Sequence, residues 1–96
     1  MLLRWTPRAR RELRNVYEYL AQHNPSAALR TRTAIWDQAQ QLAQYPQLGG
    51  LGRTPDTREL VIARTPYIVV YSIDPDTDTI QIRGVYHGAQ RWPHEL

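Results

Sequence analysis

Residues 58–64 (RELVIAR), 67–73 (YIVVYSI) and 79–87 (TIQIRGVYH) are three strand-like runs, separated only by Thr65-Pro66 and by the polar stretch 74–78 (DPDTD). Runs of β-branched and aromatic residues bounded by turn formers read as consecutive antiparallel strands joined by short turns. Their alternation predicts two faces. In 79–87, Ile80, Ile82 and Tyr86 share one parity and Gln81, Arg83, Val85 and His87 the other. The first set is expected to meet a core and the second to lie on an open face. In 58–64, Leu60 and Ile62 oppose Glu59, Val61 and Ala63. Arg58 and Arg64 fall on the apolar parity at the ends, where long side chains can turn out to water. The middle run is apolar on both faces, as a central strand is.

Upstream, residues 46–57 (PQLGGLGRTPDT) hold three glycines and two prolines. That is too many breakers for a helix or a central strand, so the segment reads as a loop, either a plain connector or a carrier of contacts. Before it stand two helical stripes. Thr6-Pro7 reads as an N-cap and first helical position, and Ala9, Leu13, Val16, Tyr17 and Leu20 follow at one-face spacing to about Gln22. His23-Asn24-Pro25-Ser26 breaks the chain, with Asn24 placed to cap a second helix. Its inward stripe is Ala28, Ile35, Ala39 and Leu42, widened by Leu29, Trp36 and Ala43, and it runs up to Tyr45-Pro46. Residues 2–5 (LLRW) read as a short strand. The expected fold is α+β: an N-terminal strand and a two-helix hairpin packed on an antiparallel sheet of about four strands, in one domain over residues 1–96.

A chain of 96 residues holds one modest core and leaves no room for a second domain. It has no cysteine, so disulfides and thiolate metal sites are excluded. His23, His87 and His94 are too scattered for a zinc site on one helix, and no metal or cofactor is expected. The N-terminus MLLRWTPRARR lacks the apolar run of a secretory or spanning segment, so a cytoplasmic location is expected, with no membrane partner.

All twelve basic side chains are arginine, and the net charge is +3. Guanidinium groups suit phosphate and carboxylate partners, although a GC-rich coding sequence explains the same bias. The charge is uneven. Residues 1–45 carry seven arginines against three acids, and residues 46–96 carry five arginines against six acids.

The segment RGVYHGAQRWPHEL gathers Arg83, His87, Arg91 and Trp92. Cations beside an aromatic suit nucleic acid or an acidic protein surface, while the plainer reading makes Trp92 a packing anchor and the arginines solvated. His87 reads as a structural strand histidine or as a proton-transfer group. With Glu59 it could exchange protons while Arg64, Arg83 and Arg91 hold a phosphate, but the spacing does not bring them together. Arg8, Arg10, Arg11 and Arg14 cluster at the start of the first helix, against its dipole; this is either a solvated face or a used one. No phosphate-cradling glycine loop, paired-carboxylate motif or nucleophile elbow is present.

Taken together, Thr57-Arg58-Glu59-Leu60-Val61, Pro66-Tyr67-Ile68-Val69-Val70-Tyr71, Val85-Tyr86-His87-Gly88-Ala89 and Arg91-Trp92-Pro93 resemble the RelE/ParE toxin superfamily across nearly the whole chain, in its ParE-type branch. The resemblance implies a toxin made with a cognate antitoxin in a plasmid or chromosomal stability module. ParE-type members poison DNA gyrase and are not known to be nucleases, whereas RelE-type members cut messenger RNA on the ribosome. The nuclease branch places an arginine where this chain has Ile68, and an aliphatic group cannot stabilise a phosphorane. His87 aligns with a position active in some nucleases, which keeps the endoribonuclease as the alternative. A family member that only binds its antitoxin is a third. The resemblance therefore implies a gyrase-binding surface drawn from Arg58, Glu59, Arg64, Arg83, His87, Arg91 and Trp92, with His87 catalytic only if the chain is a nuclease.

Overall fold

The computed structural model describes residues 1–91. Strand β1 (Leu2–Trp5) leads into helix α1 (Pro7–Ala21), helix α2 (Pro25–Gln40) and a 3-10 turn (Gln41–Ala43). Strands β2 (Gly50–Leu51), β3 (Arg58–Val61), β4 (Tyr67–Asp74) and β5 (Thr79–His87) follow.

Both helix starts form as their sequences require. The Thr6 hydroxyl accepts from the Ala9 N–H at 3.1 Å, and the Asn24 side chain accepts from the Ala27 N–H at 3.1 Å. In each helix a proline occupies the first turn, where its missing N–H would have had no partner. The Thr6 hydroxyl also donates to the Ile82 carbonyl at 2.9 Å, which ties the head of α1 to β5.

The α+β architecture is as expected, but the sheet differs from the expectation in two respects. It has five strands in the order β1-β5-β4-β3-β2, and it is mixed, because β1 runs parallel to β5 while every other pair is antiparallel. A parallel neighbour requires a crossover, and the helix hairpin supplies the start of one. The extra strand is the two-residue β2, an edge strand drawn from the glycine-rich loop. β3 also stops at Val61, short of the seven-residue run, because the chain turns at Ala63-Arg64 with Arg64 at φ 65°.

One face of the sheet meets the helices. Ala9 and Leu13 of α1, Ile35 and Ala39 of α2, and Leu42 pack on Leu60, Ile62, Tyr67, Val69, Tyr71, Ile80, Ile82 and Val85. Ile68, Val70 and Tyr86 form a separate apolar cluster. β4 thus contributes buried residues to both clusters, as a central strand should.

The parity expected for β5 fails after Ile82. Tyr71 pairs with Ile82 but Val70 pairs with Gly84, so Arg83 is an extra residue in the ladder, a β-bulge. Beyond it every side chain changes face. Val85 joins the helix-side core, and Tyr86, expected there, pairs with Ile68 in the second cluster. Gly84 marks the place: a Cβ on it would lie 2.5 Å from the Tyr86 ring, so only glycine lets that ring lie across the strand.

Candidate functional site

The face reversal decides where His87 stands. His87 pairs with Tyr67 across the β4–β5 ladder, and the two rings meet edge to face with centroids 5.3 Å apart. Tyr67 belongs to the helix-side core. His87 therefore lies on the helix side of the sheet, not on the open face expected from simple alternation. The bulge at Arg83 is the cause.

On that side β5 continues past β1, whose last paired residue is Trp5, opposite Ile82. The edge of β5 beyond this point needs acceptors that β1 no longer supplies. Glu12 of α1 provides one: its carboxylate accepts from the Val85 N–H at 3.1 Å, and it is 3.8 Å from Arg8.

A groove of about 470 Å³ opens here between α1 and the ends of β4 and β5, lined chiefly by Glu12, Tyr19, Tyr67, Val85, His87 and Gln90. Nδ1 of His87 accepts from the Ala89 N–H at 3.0 Å, so the neutral ring carries its proton on Nε2. Gln90 accepts from the His87 N–H and holds the strand end. Burial pushes the Tyr67 phenol above its ordinary range, and neighbouring Tyr19 adds to the rise. Tyr86 is pushed the same way, first by burial and then by Glu12, with Arg8 opposing. Both phenols stay protonated, and so uncharged, at neutral pH.

The other expected site residues are dispersed. The Arg58 guanidinium donates to the Gly49 carbonyl through Nε at 3.0 Å and to the Gln47 carbonyl at 3.3 Å. The cross-strand partner of Arg58, Tyr71, donates its hydroxyl to the Pro46 carbonyl at 2.7 Å and accepts from the Gly49 N–H at 2.9 Å. Together they pin the glycine-rich loop, and Gly49 is close enough that a Cβ would meet the Glu59 carbonyl at 2.6 Å.

Glu59 accepts from the Arg53 N–H at 2.7 Å and sits 3.6 Å from its guanidinium. Arg64 is exposed at the β3–β4 turn, beside a groove of about 870 Å³ along α2. Gln38 of α2 fastens that turn, accepting from the Ala63 N–H at 2.8 Å. Arg83 is half-buried at the bulge and Arg91 is exposed. Trp92 lies outside the described residues.

Glu12, Tyr19 and Gln90 were missed by the sequence reading. The available signal was Gly84, since a lone glycine inside a strand pattern often marks a bulge. Among the described residues no group of His, Asp or Glu could hold a metal ion, and no helix is long and apolar enough to cross a membrane.

Two helices packed on a five-stranded mixed sheet match the RelE/ParE-type toxin fold. The family model for the ParE toxin of the type II toxin-antitoxin system parDE matches residues 3–92. The chain belongs to that family. It is 42% identical over 94 residues to the Sinorhizobium fredii protein Y4kP, named as a candidate toxin, covering 98% of this chain and 95% of the relative. It is 38% identical over 69 residues to Toxin RelE2 of Caulobacter vibrioides, covering 72% and 76% of the two chains. A chain from the solved structure of the chromosomal ParDE TA system of P. aeruginosa superposes with a TM-score of 0.81 at 26% identity, covering 91% of this chain and 95% of that one.

Proposed function

We propose that this toxin arrests growth by binding and poisoning DNA gyrase, without catalysing a reaction, and that a cognate antitoxin neutralises it. The carrying observation is the separation of His87 from Ile68. Phosphodiester cleavage needs proton transfer and charge stabilisation at one phosphate. Here the imidazole packs against Tyr67 on the helix side, while Ile68 lies in the cluster with Val70 and Tyr86. Arg58 and Glu59 are both engaged within the chain, with the glycine-rich loop and with Arg53, rather than placed beside His87. An antitoxin partner is favoured by the likeness to the ParDE structure.

The test is a supercoiling and cleavage assay with purified toxin. Inhibition with trapped, protein-linked breaks is expected, and full supercoiling activity at micromolar toxin refutes the reading.

The identity with Toxin RelE2 favours one second reading, a ribosome-dependent endoribonuclease using His87. Primer extension on translated messages separates the two. Codon-specific cuts that vanish in His87→Ala would establish the nuclease.

A further inference from the structure

Arg10, Arg14 and Arg32 of the helix hairpin line neither of the two grooves. Arg10, Arg14 and Tyr17 recur along α1 at i, i+4 and i+7, so they share one flank of the helix. That flank meets α2, because the Arg32 guanidinium lies 4.6 Å from the centre of the Tyr17 ring. One turn further along α2, Trp36 is 44% exposed. It stacks on Trp5, with centroids 5.2 Å apart and planes at 15°.

Arg10, Arg14 and Arg32 are all exposed. None of them takes part in the ion pairs of the described residues, which are Arg8–Glu12 and Arg53–Glu59. Glu18 follows Arg14 by one turn and is not paired with it. Like charges at i, i+4 oppose each other, and a cation in the first turn of a helix, as Arg10 is in α1, opposes its dipole. The Arg10–Arg14 pair therefore costs stability with no ion pair to offset it, which points to an anion outside the chain.

The chemistry of the patch selects among anions. Single-stranded nucleic acid is gripped by stacking its bases on free aromatic faces. On this surface Tyr17 already lies under Arg32, and Trp36 is already stacked on Trp5. What remains is guanidinium charge, and charge is what the outside of a duplex recognises, through its phosphates. We propose that the outer surface of the helix hairpin binds the phosphate backbone of duplex DNA through Arg10, Arg14 and Arg32. The inference goes beyond the proposed gyrase poisoning and is tested without gyrase.

The test is fluorescence anisotropy of a short labelled DNA duplex titrated with the full chain at several salt concentrations. Three phosphate contacts predict a slope of log K against log salt of about −2.7, or about 40-fold weaker binding between about 50 and 200 mM salt. Arg10→Gln, Arg14→Gln and Arg32→Gln should each make the slope shallower by about 0.9. Arg30→Gln removes the same charge from another side of α2 and should leave the slope unchanged; circular dichroism checks that each variant is folded. The proposal is overturned by absence of duplex binding at the lowest salt, or by slopes indifferent to the three substitutions. It is equally overturned if Arg30→Gln acts as strongly as they do, or if single-stranded RNA of the same length binds more tightly than the duplex.

Discussion

Replacing Glu12 with alanine isolates the contact that joins the first helix to the unsupported end of the last strand. The Val85 N–H that Glu12 accepts belongs to a residue only 4% exposed, so water cannot readily substitute. Loss of a hydrogen bond to a charged acceptor, with the donor left buried, costs about 2–3 kcal/mol. The ion pair with Arg8 adds little, because the Arg8 side chain is 35% exposed and the Glu12 side chain 22%; such surface pairs contribute about 0–1 kcal/mol. Glu12→Gln keeps an acceptor and loses only the charge assistance, so it should cost about 1 kcal/mol. For a domain of this size, Glu12→Ala should therefore lower Tm by about 10–20 °C, and Glu12→Gln by about half as much or less. Urea unfolding followed by far-UV circular dichroism measures the difference, and hydrogen exchange at the Val85 amide shows whether the loss is local. Equal destabilisation by the two variants would refute the reasoning, since charge rather than acceptance would then be what matters. So would a Glu12→Ala midpoint indistinguishable from that of the unmodified chain.

Three further outcomes follow from the same contacts. Tyr71→Phe removes the hydroxyl that bridges Pro46 and Gly49, leaving the Gly49 N–H buried without its acceptor, and should cost about 2–3 kcal/mol in denaturant unfolding. The Tyr67 and Tyr86 phenols have folded pKa values raised above the ordinary 10.0, so the native state keeps protons that the unfolded state releases. Their contribution is complete below pH about 10 and is lost as pH rises through the folded values; Tyr67→Phe should make the alkaline fall in stability shallower. Finally, Arg58→Gln should lower the unfolding free energy by about 1–2 kcal/mol, and the midpoint with it, because the charge-assisted bonds to the loop carbonyls go. If binding to gyrase weakens while the midpoint stays fixed, Arg58 contacts the target rather than the loop.

Local signals carried much of the fold. The Thr6-Pro7 and Asn24-Pro25 starts, the apolar stripes of both helices and the bounds of β1 and β5 all follow from spacing and capping, which act over a few residues. The inward set Ala28, Ile35, Ala39 and Leu42 is fully buried. Widening that stripe to Leu29 and Trp36 went too far: both are exposed, Leu29 at 49%, and Trp36 stacks on Trp5. The family was legible too, because three of its four motifs run along β3, β4 and β5, where packing limits which side chains fit.

What the residues alone determined is the order and type of the elements, since helix period, strand period and breakers are written in neighbouring positions. What only the tertiary structure decided is the partner of β1, the bulge at Arg83 and the face on which His87 lies. Each depends on groups far apart in the chain. A single extra residue in a ladder inverts every side chain beyond it, and whether that residue is extra is set by the opposing strand, Val70 and Tyr71, rather than by the strand that carries it.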